Sequence, residues 1–169
     1  MLRLGALLAA LALLGGCAAS RCGPESVVIL ARHADRVEGT DSLTPAGVRR
    51  SQELAHALGK AGVTAIVTSD AGRAKQTAAP MAAATGLTPV ELKGSDIDAF
   101  VREIGNHRGG TVLVVGHSNT VPKIIAGLGG PQLPDIDGAE FDDLLVLTLP
   151  GCGPARLVRL QYGDASPSE

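Results

Sequence analysis

The sequence is poor in aromatic residues: its 169 residues include two Phe, one Tyr and no Trp. The hydrophobic core must therefore be aliphatic. The sequence also lacks an excess of positive charge, since 15 Lys and Arg stand against 17 Asp and Glu. This near-neutral balance gives no electrostatic reason to expect a nucleic-acid partner. The length is suited to a single domain with a core of its own.

No hydrophobic run is long enough to cross a bilayer comfortably: the apolar stretch Leu4–Leu14 is too short. It follows one positive charge and precedes small residues, which is typical of an export signal. The ending Leu-Gly-Gly-Cys17 resembles a bacterial lipobox, in which the cysteine is lipidated and becomes the new N-terminus. We therefore expect a lipoprotein signal peptide at 1–16, a tether at 17–25 and membrane anchoring on the extracytoplasmic (periplasmic) side. The alternative is an ordinary signal peptide with a cysteine nearby.

Two cysteines remain once Cys17 is set aside, Cys22 and Cys152. An exported compartment permits disulfides, so one interpretation is that these two pair. Such a bridge would close a loop of roughly 130 residues and contribute up to about 5 kcal/mol in the chain-entropy model. The other interpretation is two separate thiols.

Short apolar strands alternate with helical patterns along the chain. This alternation predicts an α/β fold, a three-layer α/β/α sandwich with a mostly parallel central sheet. The domain is expected over 26–162, followed by a disordered tail at 163–169. On the first helix, Val48 is expected to face the core and Arg50 to face water. Strands are predicted at 26–31, 65–68, 89–92, 111–115, 143–149 and 157–162, and helices at 45–58, 71–85, 96–105 and 121–128.

Polar residues follow three of these strands. Arg32 and His33 end the first, Arg73 lies one turn into the helix after the second, and His117 follows the fourth. Because parallel strands present their carboxyl ends at one edge of a sheet, these side chains should converge. Arginine binds phosphate oxygens in a bidentate manner, so two Arg and two His in one place predict a phosphate-binding site.

Three motifs resemble those of the histidine phosphatase superfamily, which includes phosphoglycerate mutases, acid phosphatases and phytases. They are Arg32-His33-Ala34-Asp35, the segment 69–78 (SDAGRAKQTA) and the segment 114–120 (VVGHSNT). Their order and spacing match, and the likeness runs from about 27 to 160. Ala34 stands where the family usually has Gly. The resemblance implies a phosphohydrolase that acts on a phosphomonoester.

The resemblance also implies roles for individual residues. His33 would attack phosphorus to form a phosphohistidine, Arg32 and Arg73 would hold the phosphoryl oxygens, and His117 would add charge to the transition state. Water would then hydrolyse the phosphoenzyme. No cofactor is expected. No metal is expected either, because no His, Cys and carboxylate cluster has the spacing of metal ligands.

The proton donor for the leaving oxygen is open. Ser118 follows the second His, where the acid phosphatase branch has Asp, and the mutase-like Glu motif is missing. Asp98 is the first candidate for this catalytic role, followed by Asp96 and the poorer Glu91. Each also fits a solvated surface acid. A substrate with a good leaving group can react without an acid.

Other polar residues are weaker candidates. Arg36 completes an Arg-His-x-x-Arg pattern and is predicted to bind phosphate, with a plain surface Arg as the alternative. Asn119 and Ser69 are further candidates at the phosphate site. His56 and His107 are expected on the surface.

The expected partners are a small phosphorylated substrate and a membrane, reached through the lipid anchor on Cys17. Oligomeric state cannot be inferred. The rival functions are a phosphoglycerate-type mutase and a catalytically silent phosphate-binding lipoprotein.

Overall fold

The computed structural model describes residues 22–166. The predicted signal peptide at 1–16, the lipidation site Cys17 and most of the tether lie outside the described residues. So does the end of the tail, 167–169. In the part described, no helix is long and apolar enough to span a membrane.

A six-stranded sheet forms the centre of the domain, in the order β3-β2-β4-β1-β5-β6. Strands β1 to β4 run parallel, β5 pairs antiparallel with β1, and β6 pairs antiparallel with β5, so the prediction of a mostly parallel sheet is confirmed. The elements are β1 Ser26–Arg32, α1 Pro45–Ala57, β2 Val63–Ser69, α2 Gly72–Thr85, β3 Val90–Leu92, α3 Ile97–Asn106, β4 Thr111–Gly116, α4 Val121–Gly127, β5 Asp143–Leu149 and β6 Arg156–Gln161.

Helices cover both faces of the sheet. Leu54 of α1 and Met81 of α2 pack in one cluster against Ile29 and its neighbours. Phe100 of α3 and Ile125 of α4 pack in a second cluster on the opposite face. These aliphatic clusters confirm the three-layer α/β/α arrangement.

Helix ends follow the local signals in the sequence. The Thr44 hydroxyl accepts a hydrogen bond from the Gly47 N–H at 3.0 Å, which caps α1. Helix α2 ends at Gly86, whose φ of 72° is a left-handed conformation that glycine adopts without a steric cost.

The prediction for the first helix is wrong at two positions. Arg50 is only 5% exposed, whereas Val48 is 45% exposed. Arg50 is stable inside because its Nε pairs with the Asp35 carboxylate at 2.7 Å and its Nη1 donates to the Asp164 carbonyl at 2.7 Å. A buried charge needs such partners, and they come from distant parts of the chain.

The start of the predicted tail packs against the domain. Besides the contact of Asp164 with Arg50, the hydroxyl of Ser166 accepts a hydrogen bond from the Phe141 N–H at 2.8 Å. These contacts extend the folded unit to residue 166, because the two residues satisfy buried polar groups of the domain.

Cys22 and Cys152 form a disulfide with their Cα atoms 5.2 Å apart, so the pairing prediction is confirmed. The bridge joins the segment before β1 to the turn between β5 and β6. Next to it Gly151 packs on Gly23, where any side chain would collide with backbone atoms. The end of the predicted tether is therefore held against the amino-terminal end of β1.

Candidate active site

An open cleft of about 720 Å³ lies at the carboxyl ends of β1, β2 and β4. All four residues predicted to bind and transfer phosphate line it, as the strand order requires, since β1 and β2 both flank β4. The lining residues are Arg32, His33, Arg36, Asp70, Ala71, Arg73, Lys93, Gly94, Ser95, His117, Ser118, Asn119 and Thr120.

The His33 ring is buried and held in one tautomer. Its Nδ1 lies 2.9 Å from the Ala34 carbonyl oxygen, which only accepts, so Nδ1 carries the proton and Nε2 the lone pair. Burial is the largest cause that lowers the pKa of His33 to about 4; the positive charges of Arg73 and Arg32 act in the same direction, and the hydrogen bond to Ala34 opposes them. The ring is therefore neutral and nucleophilic at physiological pH.

His117 lies edge-on to His33, with ring centroids 5.3 Å apart. Its Nδ1 lies 3.3 Å from Nη2 of Arg73, and because arginine only donates, the proton of the neutral ring is on Nε2. Burial, followed by the charge of Arg73, lowers the pKa of His117. A Cβ on Gly94 would lie 3.2 Å from Nε2, so the loop after β3 approaches the ring closely at a glycine.

The guanidinium group of Arg32 is bound by the segment 137–141. Its Nη1 donates to the carbonyls of Asp137, Gly138 and Glu140 at 2.7, 3.0 and 2.8 Å. The Phe141 ring centroid lies 4.0 Å from Cζ, a cation–π contact. Burial lowers the pKa of Arg32, but an arginine keeps its charge.

Arg73 is fixed at the start of α2 by Asp41. Its Nη1 forms an ion pair with the Asp41 carboxylate at 2.6 Å, and the same carboxylate accepts from the Gly72 N–H. The hydrogen bond from Gly72 and the one from Arg73 lower the pKa of Asp41, which keeps it ionised. Arg73 thus has its guanidinium oriented between Asp41 and His117.

Two donors in the cleft have no partner in the part of the chain that the structure describes. The Nε atoms of Arg32 and Arg73 are both buried and make no hydrogen bond. Such donors are rare because each costs free energy, and the oxygens of a phosphoryl group would accept from both. The two arginines are therefore suited to hold one anion between them.

The weaker candidates lie in different surroundings. Arg36 and Asn119 are exposed residues that line the cleft. Ser69 is buried at the end of β2, and its hydroxyl has no hydrogen-bond partner within 22–166. His56 is exposed on α1, and His107 pairs with Glu103 at 3.0 Å; both are away from the cleft.

The structure does not bring the predicted acids into the cleft. Asp98 is exposed in the first turn of α3 and is not among the lining residues. Asp96 caps α3 by accepting from the Ala99 N–H at 2.9 Å. Glu91 pairs with Lys75 at 3.2 Å.

The model of the histidine phosphatase superfamily (branch 1) matches residues 28–95. That segment includes Arg32, His33 and Arg73, and the cleft adds His117 to them. This match supports assignment of the domain to the histidine phosphatase superfamily and supports a phosphatase enzyme.

Solved structures share the fold of this domain. The protein histidine phosphatase SixA, complexed with tungstate, is 20% identical, with a TM-score of 0.66 and coverage of 80% of this chain and 96% of that one. A mycobacterial glucosyl-3-phosphoglycerate phosphatase is 19% identical, with a TM-score of 0.60 and coverage of 81% and 99%. Phosphoglycerate mutase from Plasmodium falciparum is 19% identical, with a TM-score of 0.58 and coverage of 86% and 95%. No curated protein matches this chain.

Several residues around the site, among them the four described next, were not assigned a role from the sequence. Asp41 contacts Arg73, and Phe141 contacts Arg32. Lys93 adds a positive charge to the cleft, and Thr77 binds the backbone next to His33. Thr77 lies in the motif 69–78, so its place beside Arg73 could have drawn attention. The others lie in loops without a pattern.

Thr77 is expected to position the nucleophile. Its buried hydroxyl accepts from the Ala34 N–H at 2.9 Å and donates to the Arg73 carbonyl at 2.8 Å. Thr77→Val removes both bonds at constant shape, and we expect kcat to fall by up to about a hundredfold, because a small misplacement of reacting groups is costly. Steady-state kinetics measure this, and Thr77→Ser should retain most activity. Equal loss in both variants would contradict the role.

The lowered pKa of His33 predicts the pH at which its imidazole gains a proton. Its imidazole signals in an NMR titration should have a midpoint near pH 4, against about 6.5 for an unperturbed imidazole. Below that midpoint Nε2 is protonated and the nucleophile is lost. Between pH 6.5 and 4 the His33 imidazole is protonated more readily in the unfolded chain than in the folded protein. Its contribution to the free energy of unfolding therefore falls as the pH falls through this range. His33→Asn assigns the signal, and a midpoint above 6 would contradict the prediction.

Proposed function

We propose that this protein hydrolyses a phosphomonoester through a phosphohistidine on His33. The observation that carries the proposal is the Nε2 lone pair of a neutral, fixed His33 ring beside two arginines with free buried Nε–H groups. Few environments other than a phosphoryl-transfer site need a nucleophile and that much positive charge together.

The reaction has two halves. In the first, the bond from Nε2 of His33 to phosphorus forms while the bond from phosphorus to the leaving oxygen breaks. Arg32 and Arg73 bind the phosphoryl oxygens, and the Nε2–H of His117 donates to them as negative charge develops. In the second half, water attacks phosphorus and the bond to His33 breaks, which releases phosphate and restores the ring.

The open cleft favours a substrate that presents its phosphate at the surface. Arg36 and Lys93 line the cleft and add positive charge around the phosphate site. Both a small phosphorylated molecule and a phosphorylated side chain of a protein fit this description. The SixA structure, which covers 80% of this chain, is named a protein histidine phosphatase, and this makes phosphohistidine the second candidate substrate.

A panel of phosphorylated compounds tests the proposal. It would contain alkyl and aryl phosphates, 3-phosphoglycerate and a phosphohistidine peptide, each assayed for released phosphate at neutral and acid pH. We expect release from at least one, and none above background with His33→Asn. Binding of phosphate without release from any compound would favour the silent binding protein. Movement of phosphate within 3-phosphoglycerate without release would favour the mutase.

We propose further that the enzyme works outside the cytoplasm as a lipoprotein anchored through Cys17. The disulfide supports an oxidising compartment. Gly23 and Pro24 enter the domain at the amino-terminal end of β1, the end opposite the cleft, so an anchor there leaves the cleft facing away from the membrane. Labelled palmitate should be incorporated into the native protein and not into Cys17→Ser. Equal labelling would contradict the anchor.

A further inference from the structure

The carboxylates near the site lie outside the cleft lining, with one exception. Asp35 pairs with Arg50, and Asp41 pairs with Arg73. Asp137 accepts through Oδ1 from the Ala139 N–H at 2.7 Å. Among the residues that line the cleft, Asp70 is the single acidic side chain.

Asp70 follows β2 directly and is fixed against the loop after β3. Its Oδ1 accepts from the Gly94 N–H at 3.0 Å, and its own N–H donates to the Leu92 carbonyl at 2.8 Å. These two bonds orient the carboxyl group and leave Oδ2 without a hydrogen bond inside the range 22–166. Oδ1 of Asp70 is therefore fixed by a hydrogen bond, and the side chain is exposed and lines the cleft.

The same loop places Asp70 beside the phosphoryl-transfer residues. Gly94, which binds Oδ1, is also the residue whose added Cβ would lie 3.2 Å from Nε2 of His117. Asp70 is near enough to the His117 ring that its carboxylate, when ionised, raises the pKa of that ring. The Asp70 carboxyl group therefore lies in the same cleft as the phosphoryl-transfer residues.

We propose that Asp70 exchanges the proton of the reaction through Oδ2. This inference rests on the proposed function. In the first half, as the bond from phosphorus to the leaving oxygen breaks, the proton on Oδ2 moves to that oxygen. In the second half, as water attacks phosphorus and the bond to His33 breaks, the carboxylate takes one proton from the water. Asp70 is protonated again at the end, so the cycle balances.

The test compares variants of two carboxylates, Asp70 and Asp98, on two substrates that differ in their leaving group. Asp70→Asn keeps an oxygen to accept from the Gly94 N–H and removes the transferable proton. We expect its kcat/KM on an alkyl phosphate, which reports the first half alone, to fall about a hundredfold, the lower end of what a general acid contributes. On 4-nitrophenyl phosphate, whose leaving group needs no proton, kcat/KM should change less than about threefold. Asp98→Asn, the matched control on α3, should leave both rates unchanged.

Equal loss on both substrates, or no loss on either, would overturn the role of Asp70. Thermal unfolding of Asp70→Asn shows whether an equal loss reflects a damaged fold, and a damaged fold would also mean that the residue is structural. Failure of the proposed function has a different signature, because the native enzyme would then release phosphate from neither substrate.

Discussion

Replacing His33 with alanine should lower turnover by about a thousandfold or more, the scale of loss seen when a catalytic nucleophile is removed. The imidazole is the only group in the proposed reaction that forms a covalent bond to phosphorus. The fold should tolerate the change, because the backbone of this loop is fixed by other bonds, such as that from the His33 N–H to the Gly116 carbonyl at 2.9 Å. Steady-state release of phosphate measures the effect.

Trapping of the phosphoenzyme makes the same prediction specific. Native protein quenched during turnover of a ³²P-labelled substrate should retain an acid-labile label, and His33→Ala should retain none. His56→Ala is the matched control, since His56 is exposed on α1 and away from the cleft. Equal labelling of native protein and His33→Ala would disprove the phosphohistidine on this residue.

Loss of the disulfide should give the largest change in stability. The bridge spans 130 residues, so it constrains the unfolded chain strongly. We expect the double variant Cys22→Ser, Cys152→Ser to lose about 2–5 kcal/mol of unfolding free energy. Urea unfolding followed by circular dichroism measures this.

A reducing agent supplies the control for the disulfide. It should lower the unfolding midpoint of the native protein to that of the double variant, and it should not move the midpoint of the variant itself. Catalysis at low temperature should be nearly unchanged, because the bridge lies at the end of the sheet opposite the cleft. A native protein that loses less than about 1 kcal/mol on reduction would contradict the prediction.

The buried ion pair of Arg50 and Asp35 shows that helical periodicity does not fully determine which face of α1 is buried. The pattern on α1 predicts a helix correctly, yet it assigns Val48 to the core and Arg50 to water. Three of the contacts that retain Arg50 come from Asp35, Tyr162 and Asp164, far from it in sequence. A single sequence carries no signal for these partners, so the rotation of the helix could not be predicted from it.

The sequence by itself determined the order of elements, the three-layer fold and the convergence of Arg32, His33, Arg73 and His117. The physical reason is local: apolar strands, caps and glycine stops define the elements, and parallel strands bring their ends to one edge. The pairing of Cys22 and Cys152 was one of two interpretations that the sequence left open.

Only the tertiary structure decided which side chains complete the cleft. Asp98 and Asp70 are both acidic residues that follow predicted strands. Asp70 lies in the motif 69–78, but the sequence does not show that its side chain lines the cleft and that of Asp98 does not. The pairing of β3 with β2 places the Gly94 N–H against Asp70, whereas α3 exposes Asp98 to solvent. Phe141 likewise reaches Arg32 because β5 returns antiparallel beside β1. Such contacts depend on strand order and helix rotation, which arise from packing of the whole chain.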